Sequence, residues 1–317
     1  MVYVTRERAP SFRTARQFLV SRITRIYPLW WVCAGIMTGY FWISYGIPAA
    51  PDRVSGPSEA WSYALKSFAL FPQDAPPMLG VGWTLIHEIF FYLIFAVSLT
   101  FARKRLIWIL LAWTALTLIA PFILGGIGSR GPVYSIMTNP MSLEFIAGAC
   151  AAMIFLKSYS KPLNTVLCWG LIAGSVIYIL ILMQTGYKIA GVSHYMSRTL
   201  LYVMPAGVLV FALPRLESAG RLSVPKPWRV LGDCSYALYL THYIVLVVMR
   251  RVLRISEPYL PDAVGNILIT SRAGVLNNII FTLAAIGLCL ITAWVFYKFI
   301  EQPSLAYFRR RLNRARA

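Results

Sequence analysis

The chain has 317 residues, 58% of them hydrophobic and 13% charged, with a mean hydropathy of +0.65. A soluble domain carries about 25% charged residues, so roughly half of the usual charge is missing, which excludes a disordered chain, a secreted disulfide scaffold and an ordinary cytosolic enzyme. Thirty Lys and Arg against 11 Asp and Glu leave a net charge of +19. The basic residues sit in the gaps between apolar runs, so the surplus reads as a positive-inside signature and not as nucleic-acid binding.

The apolar runs predict an all-α polytopic transmembrane bundle of about eight spans. They lie near 28–47, 83–102, 106–125, 141–157, 164–183, 198–213, 234–250 and 275–297, each close to the roughly 20 residues that a bilayer core needs. An Arg-rich segment, 1–27, precedes the first span and has no secretory cleavage pattern. The proline-rich stretch Pro48–Gly82 is the longest connection and is expected outside. Pro205 predicts a kink or tilt in 198–213. Residues 298–317 form a basic tail. With eight spans the basic residues divide 21 to 9, which puts both termini on the cytoplasmic side of a bacterial-type inner membrane. The whole of 1–317 reads as one membrane domain. Five cysteines lie scattered in or beside apolar runs without a C-x-x-C pair, so neither disulfides nor a metal site is expected.

Ionisable groups inside apolar spans are costly and mark function by default. His87 and Glu88 open the second span, Glu144 the fourth, and Asp233 and His242 bracket the start of the seventh. For Glu144 and Asp233, near span ends, pairing or a wet interface is the simpler account; Glu88 and His242 lie several residues inside. Trp83 suits an interfacial belt, and Trp83, His87 and Glu88 can share one helix face. Arg22 and Arg25, at i and i+3, can clamp phosphates or serve as snorkelling anchors; spacing leaves both open. Ser235, Tyr239 and His242, at i, i+4 and i+7, put two hydroxyls and an imidazole on one face. No Walker loop, G-x-S-x-G elbow or H-E-x-x-H occurs.

Four segments in order carry a resemblance. They are Phe18–Trp31 with its Arg22-x-x-Arg25 pair, Trp83-Thr84-Leu85 followed by Glu88 and Tyr92, Ser235–His242, and Ile300-Glu301-Gln302-Pro303. Together they resemble the acyltransferase family 3 membrane proteins, of the exopolysaccharide-production acetyltransferase type. The resemblance implies transfer of an acyl group, often acetyl, from an acyl-CoA co-substrate (acetyl-CoA) to a hydroxyl of a cell-surface carbohydrate or its lipid-linked precursor, with no metal. It implies Arg22 and Arg25 near the donor phosphates and Glu88 at the family's acidic position. His87 stands where an aromatic or polar residue is more usual, so no role is inherited there. Family members begin with two further helices, the first carrying an L-R-G…H pattern whose histidine is the expected base. Neither is present here, so the chain looks like a member that starts late, with about ten helices in the complete pattern. Within this chain His242 and the His87/Glu88 pair are the candidate catalytic groups, and Trp83, Ser235 and Tyr239 the candidate substrate-binding ones. The rival readings are a proton-coupled small-molecule transporter using Glu88, Glu144 and His242, and a catalytically silent remnant.

Overall fold

The computed structural model describes residues 1–7, 9–49, 51–101, 105–125, 130–159, 164–185, 194–259 and 275–314. Among these residues the regular structure is entirely helical. Twelve helices longer than one turn are described: α1 Phe12–Tyr45, α2 Pro57–Phe68, α3 Trp83–Ser98, α4 Leu106–Ile123, α5 Pro132–Met137, α6 Ser142–Ser158, α7 Thr165–Thr185, α8 His194–Ser218, α9 Lys226–Asp233, α10 Ser235–Ser256, α11 Val275–Phe296 and α12 Gln302–Arg314. Seven helical stretches are long and apolar enough to cross a membrane, and Leu106–Pro121 is a shorter apolar one. Every predicted span therefore falls on a helix. Of the predicted connections 184–197 and 251–274, residues 186–193 and 260–274 lie outside the described residues.

Contacts divide the chain into two units, Met1–Leu19 with His87–Pro225, and Val20–Ile86 with Lys226–Ala317. The first is built on α3, α4, α6, α7 and α8. Phe91 stacks on Phe145 with centroids 4.6 Å apart and on Trp113 at 5.5 Å, and Phe18 meets Tyr92 edge-on at 5.8 Å. Rings are economical here because lipid tails offer no hydrophobic drive for helix pairing, so dispersion contacts must supply it. Helices α6 and α8 run parallel. Their starts share a cavity lined by Glu144 and Arg198, and at their ends the buried Arg215 donates to the Ser158 carbonyl at 2.6 Å. That guanidinium satisfies one of the carbonyls that every helix C-terminus leaves without an intrahelical partner.

The second unit corrects the expectation for Pro48–Gly82. This stretch is not a plain surface connection. It contains α2, which runs back along α1 from the Trp42–Trp61 ring contact at 5.9 Å to a close with Tyr27, Trp30 and Trp31. The Trp30 indole donates to Ser67 O, the Trp31 indole to Phe68 O and the Tyr27 hydroxyl to Ala69 O, at 3.2, 3.1 and 2.9 Å. Three aromatic donors at i, i+3 and i+4 of α1 thus satisfy the carbonyls at the α2 C-terminus. Backbone amides finish the job: Leu70 N–H reaches Ser67 O and Phe71 N–H reaches Lys66 O, the paired bonds of a Schellman closure. Leu70 occupies its left-handed position at φ 51°, where glycine is usual, and is buried. At the other end, Ser55 N–H donates to Glu59 at 2.6 Å and holds this exposed carboxyl below its usual range.

Two further boundaries move. The predicted first span starts at Pro28, but α1 starts at Phe12 and carries Pro28 inside it, so Arg13, Arg16, Arg22 and Arg25 are helical. A 34-residue helix is about 51 Å long at 1.5 Å per residue, against roughly 30 Å of hydrocarbon, so its apolar half is not the only part that can lie in the bilayer. Likewise the basic tail is not separate: a π-helical turn, Tyr297–Glu301, leads into α12.

Gly82 abuts the Trp30 ring so closely that a Cβ would overlap it. Gly82→Ala is therefore expected to cost about 1–3 kcal/mol of stability through overpacking, read as a lower thermal midpoint in detergent. Gly56→Ala, whose added Cβ meets nothing within 4 Å, serves as the control.

Candidate functional site

Helix α10 organises the candidate residues of the second unit. Its first turn meets α1 beside the arginine pair, where the Tyr236 hydroxyl donates to Ile26 O at 2.7 Å. Glu301, only 4% exposed, accepts the Ala237 backbone N–H at the start of α10 and lies within the field of Arg25. A carboxylate at a helix N-terminus is stabilised by the exposed amides and the dipole. Its second oxygen is buried and accepts no hydrogen bond among the described residues. The π-turn is what aims it there: an extra residue per turn rotates the following side chains relative to an α-helical register.

One turn further along α10, the Tyr239 hydroxyl donates to Val81 O and bonds the Thr84 hydroxyl. Tyr243 closes over Gly80, where a Cβ would come 3.3 Å from its ring. The half-buried His242 lies beside Tyr239, ring centroids 6.0 Å apart, with Nδ1 3.1 Å from Leu238 O. A carbonyl can only accept, so Nδ1 carries the proton in the neutral ring and Nε2 keeps its lone pair. From Ala237 to His242 is about 7–8 Å of helix, so an anion-binding end and a potential base share one helix.

The structure thus brings Tyr239, with His242 beside it, to the turn that precedes and opens α3, where Trp83 is half-exposed. Ser235 is exposed at the first position of α10. Arg25 is exposed and Arg22 half-buried on α1. Trp30, near the start of the first predicted span, touches Gly82, which precedes the second. In the first unit, half-buried Glu88 accepts the Tyr92 hydroxyl one helical turn on. His87 precedes it, also half-buried. Glu144 lies beside Thr199 and Arg198. Glu301 falls in the Ile300–Pro303 motif, and sequence alone assigns it no role. The signal available was an acidic residue inside a long apolar helix, followed by Gln-Pro.

A family model described as an acyltransferase domain matches residues 3–298. The exopolysaccharide production protein ExoZ of Rhizobium meliloti (strain 1021) is 29% identical over 249 residues, covering 75% of this chain and 70% of that protein. No solved structure matches.

Proposed function

The chain belongs to acyltransferase family 3, and from that premise we propose that it moves an acetyl group from acetyl-CoA to a hydroxyl of an exopolysaccharide or its lipid-linked precursor. The observation that supports this most is the sharing of α10 between Arg25 with Glu301 at one end and Tyr239 with His242 one to two turns away. A CoA thioester needs both: fixed cations for its phosphates and a base near its acyl carbon. The likeness to a protein of exopolysaccharide production supports a carbohydrate acceptor. The 21-to-9 division of basic residues supports termini on the cytoplasmic face of the inner membrane, the side that holds CoA.

In this reading the guanidiniums of Arg22 and Arg25 bind the donor phosphates, and Glu301 keeps Arg25 oriented. A sugar hydroxyl is a poor nucleophile, so His242 Nε2 takes its proton as the oxygen attacks the thioester carbonyl. The tetrahedral oxyanion needs a donor, and the Thr84 hydroxyl, turned from Tyr239, is the group at hand. Collapse breaks the C–S bond and forms the O-acyl ester. The proton passes from His242 to the departing thiolate, so CoA leaves as the free thiol. Trp83 and Ser235 contact the sugar.

Donor recognition is tested by retention of the purified chain on immobilised CoA. Elution by free CoA but not by pantetheine, which lacks the nucleotide phosphates, is expected. Equal elution by both would remove the arginines from donor binding. For Glu88, Glu88→Gln is expected to lower transfer about tenfold or more at unchanged folded amount, because it weakens a charge-assisted hydrogen bond. Lost protein with wild-type activity per molecule would make Glu88 structural.

A further inference from the structure

Away from α10, the first unit contains a cavity of about 270 Å³ between α6 and α8. Its two ends differ in chemistry. Glu144, in the first turn of α6, and Arg198 and Tyr202, in the second and third turns of α8, line one end. Among the described residues the two charges make no direct ion pair, although Glu144 feels the field of Arg198 and bonds the Thr199 side chain. The rest of the lining is small or apolar, with Gly148 from α6 and Ala206, Gly207 and Val210 from α8. A Cβ placed at Gly148 or at Gly207 would meet nothing within 4 Å, so the space between the helices is open at both.

The geometry points to a site for one membrane phospholipid of the ethanolamine type, its headgroup at Glu144 and Arg198 and one acyl chain in the slot. Charge decides the headgroup. One unpaired cation and one unpaired anion suit a zwitterion whose phosphate meets Arg198 and whose primary ammonium donates to Glu144. A glycerol headgroup would leave Glu144 without a cation, and a choline could not donate to it. Length decides the tail. Arg198 to Val210 is twelve residues, about 18 Å of helix, close to the roughly 15 Å depth of one leaflet. The charged end also lies at the helix starts, where headgroups lie, and the glycines lie further along, where chains lie. Small residues at a helix interface usually let the backbones close together. Here they leave a gap that only a thin, flexible occupant fills.

Native mass spectrometry of the full chain, extracted from nanodiscs of equal phosphatidylethanolamine, phosphatidylglycerol and phosphatidylcholine, tests this. The wild type is expected to keep one ethanolamine lipid with a preference of about tenfold over either competitor, the worth of one charge-assisted hydrogen bond. Glu144→Ala, which removes the acceptor, should erase the preference over phosphatidylcholine. Gly207→Leu, which grows into open space, should expel the lipid from an otherwise folded chain. Retention of the three lipids in their bulk proportions by the wild type would overturn the site, leaving a water-filled cavity. So would an unchanged ethanolamine preference in both variants.

Discussion

Replacing His242 by alanine is expected to lower acyl transfer by about 10²–10⁴-fold, the usual cost of removing a general base. The folded amount should stay near wild type, because the described contacts it loses are a tilted ring contact with Tyr239 and a hydrogen bond to Leu238 O. His242→Asn separates the roles. Its amide can still donate to the Leu238 carbonyl, but it has no nitrogen that takes a proton at neutral pH. Both variants should therefore be equally inactive. Recovery of transfer by His242→Asn would reduce His242 to a spacer that holds the α10 face in shape. The assay is initial rate per folded molecule at saturating donor.

The double substitution Arg22→Gln with Arg25→Gln is the other large effect. Hydrogen bonds to a charged group contribute about 1.5–3 kcal/mol each, so losing two should raise the donor KM by roughly 10²–10⁴-fold. The rate at saturating donor should change far less, since the phosphates bind alike in ground and transition states. Glu301→Gln should raise the same KM more modestly, because it acts through Arg25. Its Ala237 bond can survive through the amide oxygen, so the chain should still fold. A fall in kcat with no change in donor KM would place the arginines outside the donor site. Their alternative, snorkelling anchorage, predicts lost membrane insertion and unchanged kinetics.

How much of this was readable in advance follows from what periodicity and length can carry. All eight apolar runs lie on helices because roughly 20 consecutive apolar residues leave the backbone no other way to satisfy itself in lipid. Helix ends were less readable. Arg13 to Arg25 look like a polar tail by hydropathy, yet they extend α1, since arginine is a good helix former and Pro28 does not stop the helix. The same blindness hid the last turn of α10, with Arg251 and Arg254. The return of α2 along α1 was not legible either. It depends on three aromatic donors finding three particular carbonyls, a pairing between residues 27–31 and 67–69 that no local pattern encodes.

The candidate residues divide in the same way. Tyr239 and His242 were found by helical spacing, and α10 presents both to the 80–84 turn or beside it. Glu301 needed the π-turn, whose extra residue re-aims the carboxylate toward Ala237. Glu144 was read as paired or wet. Its place at the mouth of a cavity follows from the parallel packing of α6 and α8, which only the tertiary fold supplies.

The most direct test is to supply the chain, in native-like membranes, with acetyl-CoA labelled in the acetyl carbon and with a lipid-linked oligosaccharide acceptor. Free thiol and saccharide-bound label should be counted together. The proposed reaction releases one CoA thiol for each acetyl ester formed, and mild alkali should free all of the bound label as acetate. His242→Ala should abolish both signals together. Thiol release without saccharide label, or label that resists alkali, would contradict acetyl transfer from CoA to a sugar hydroxyl.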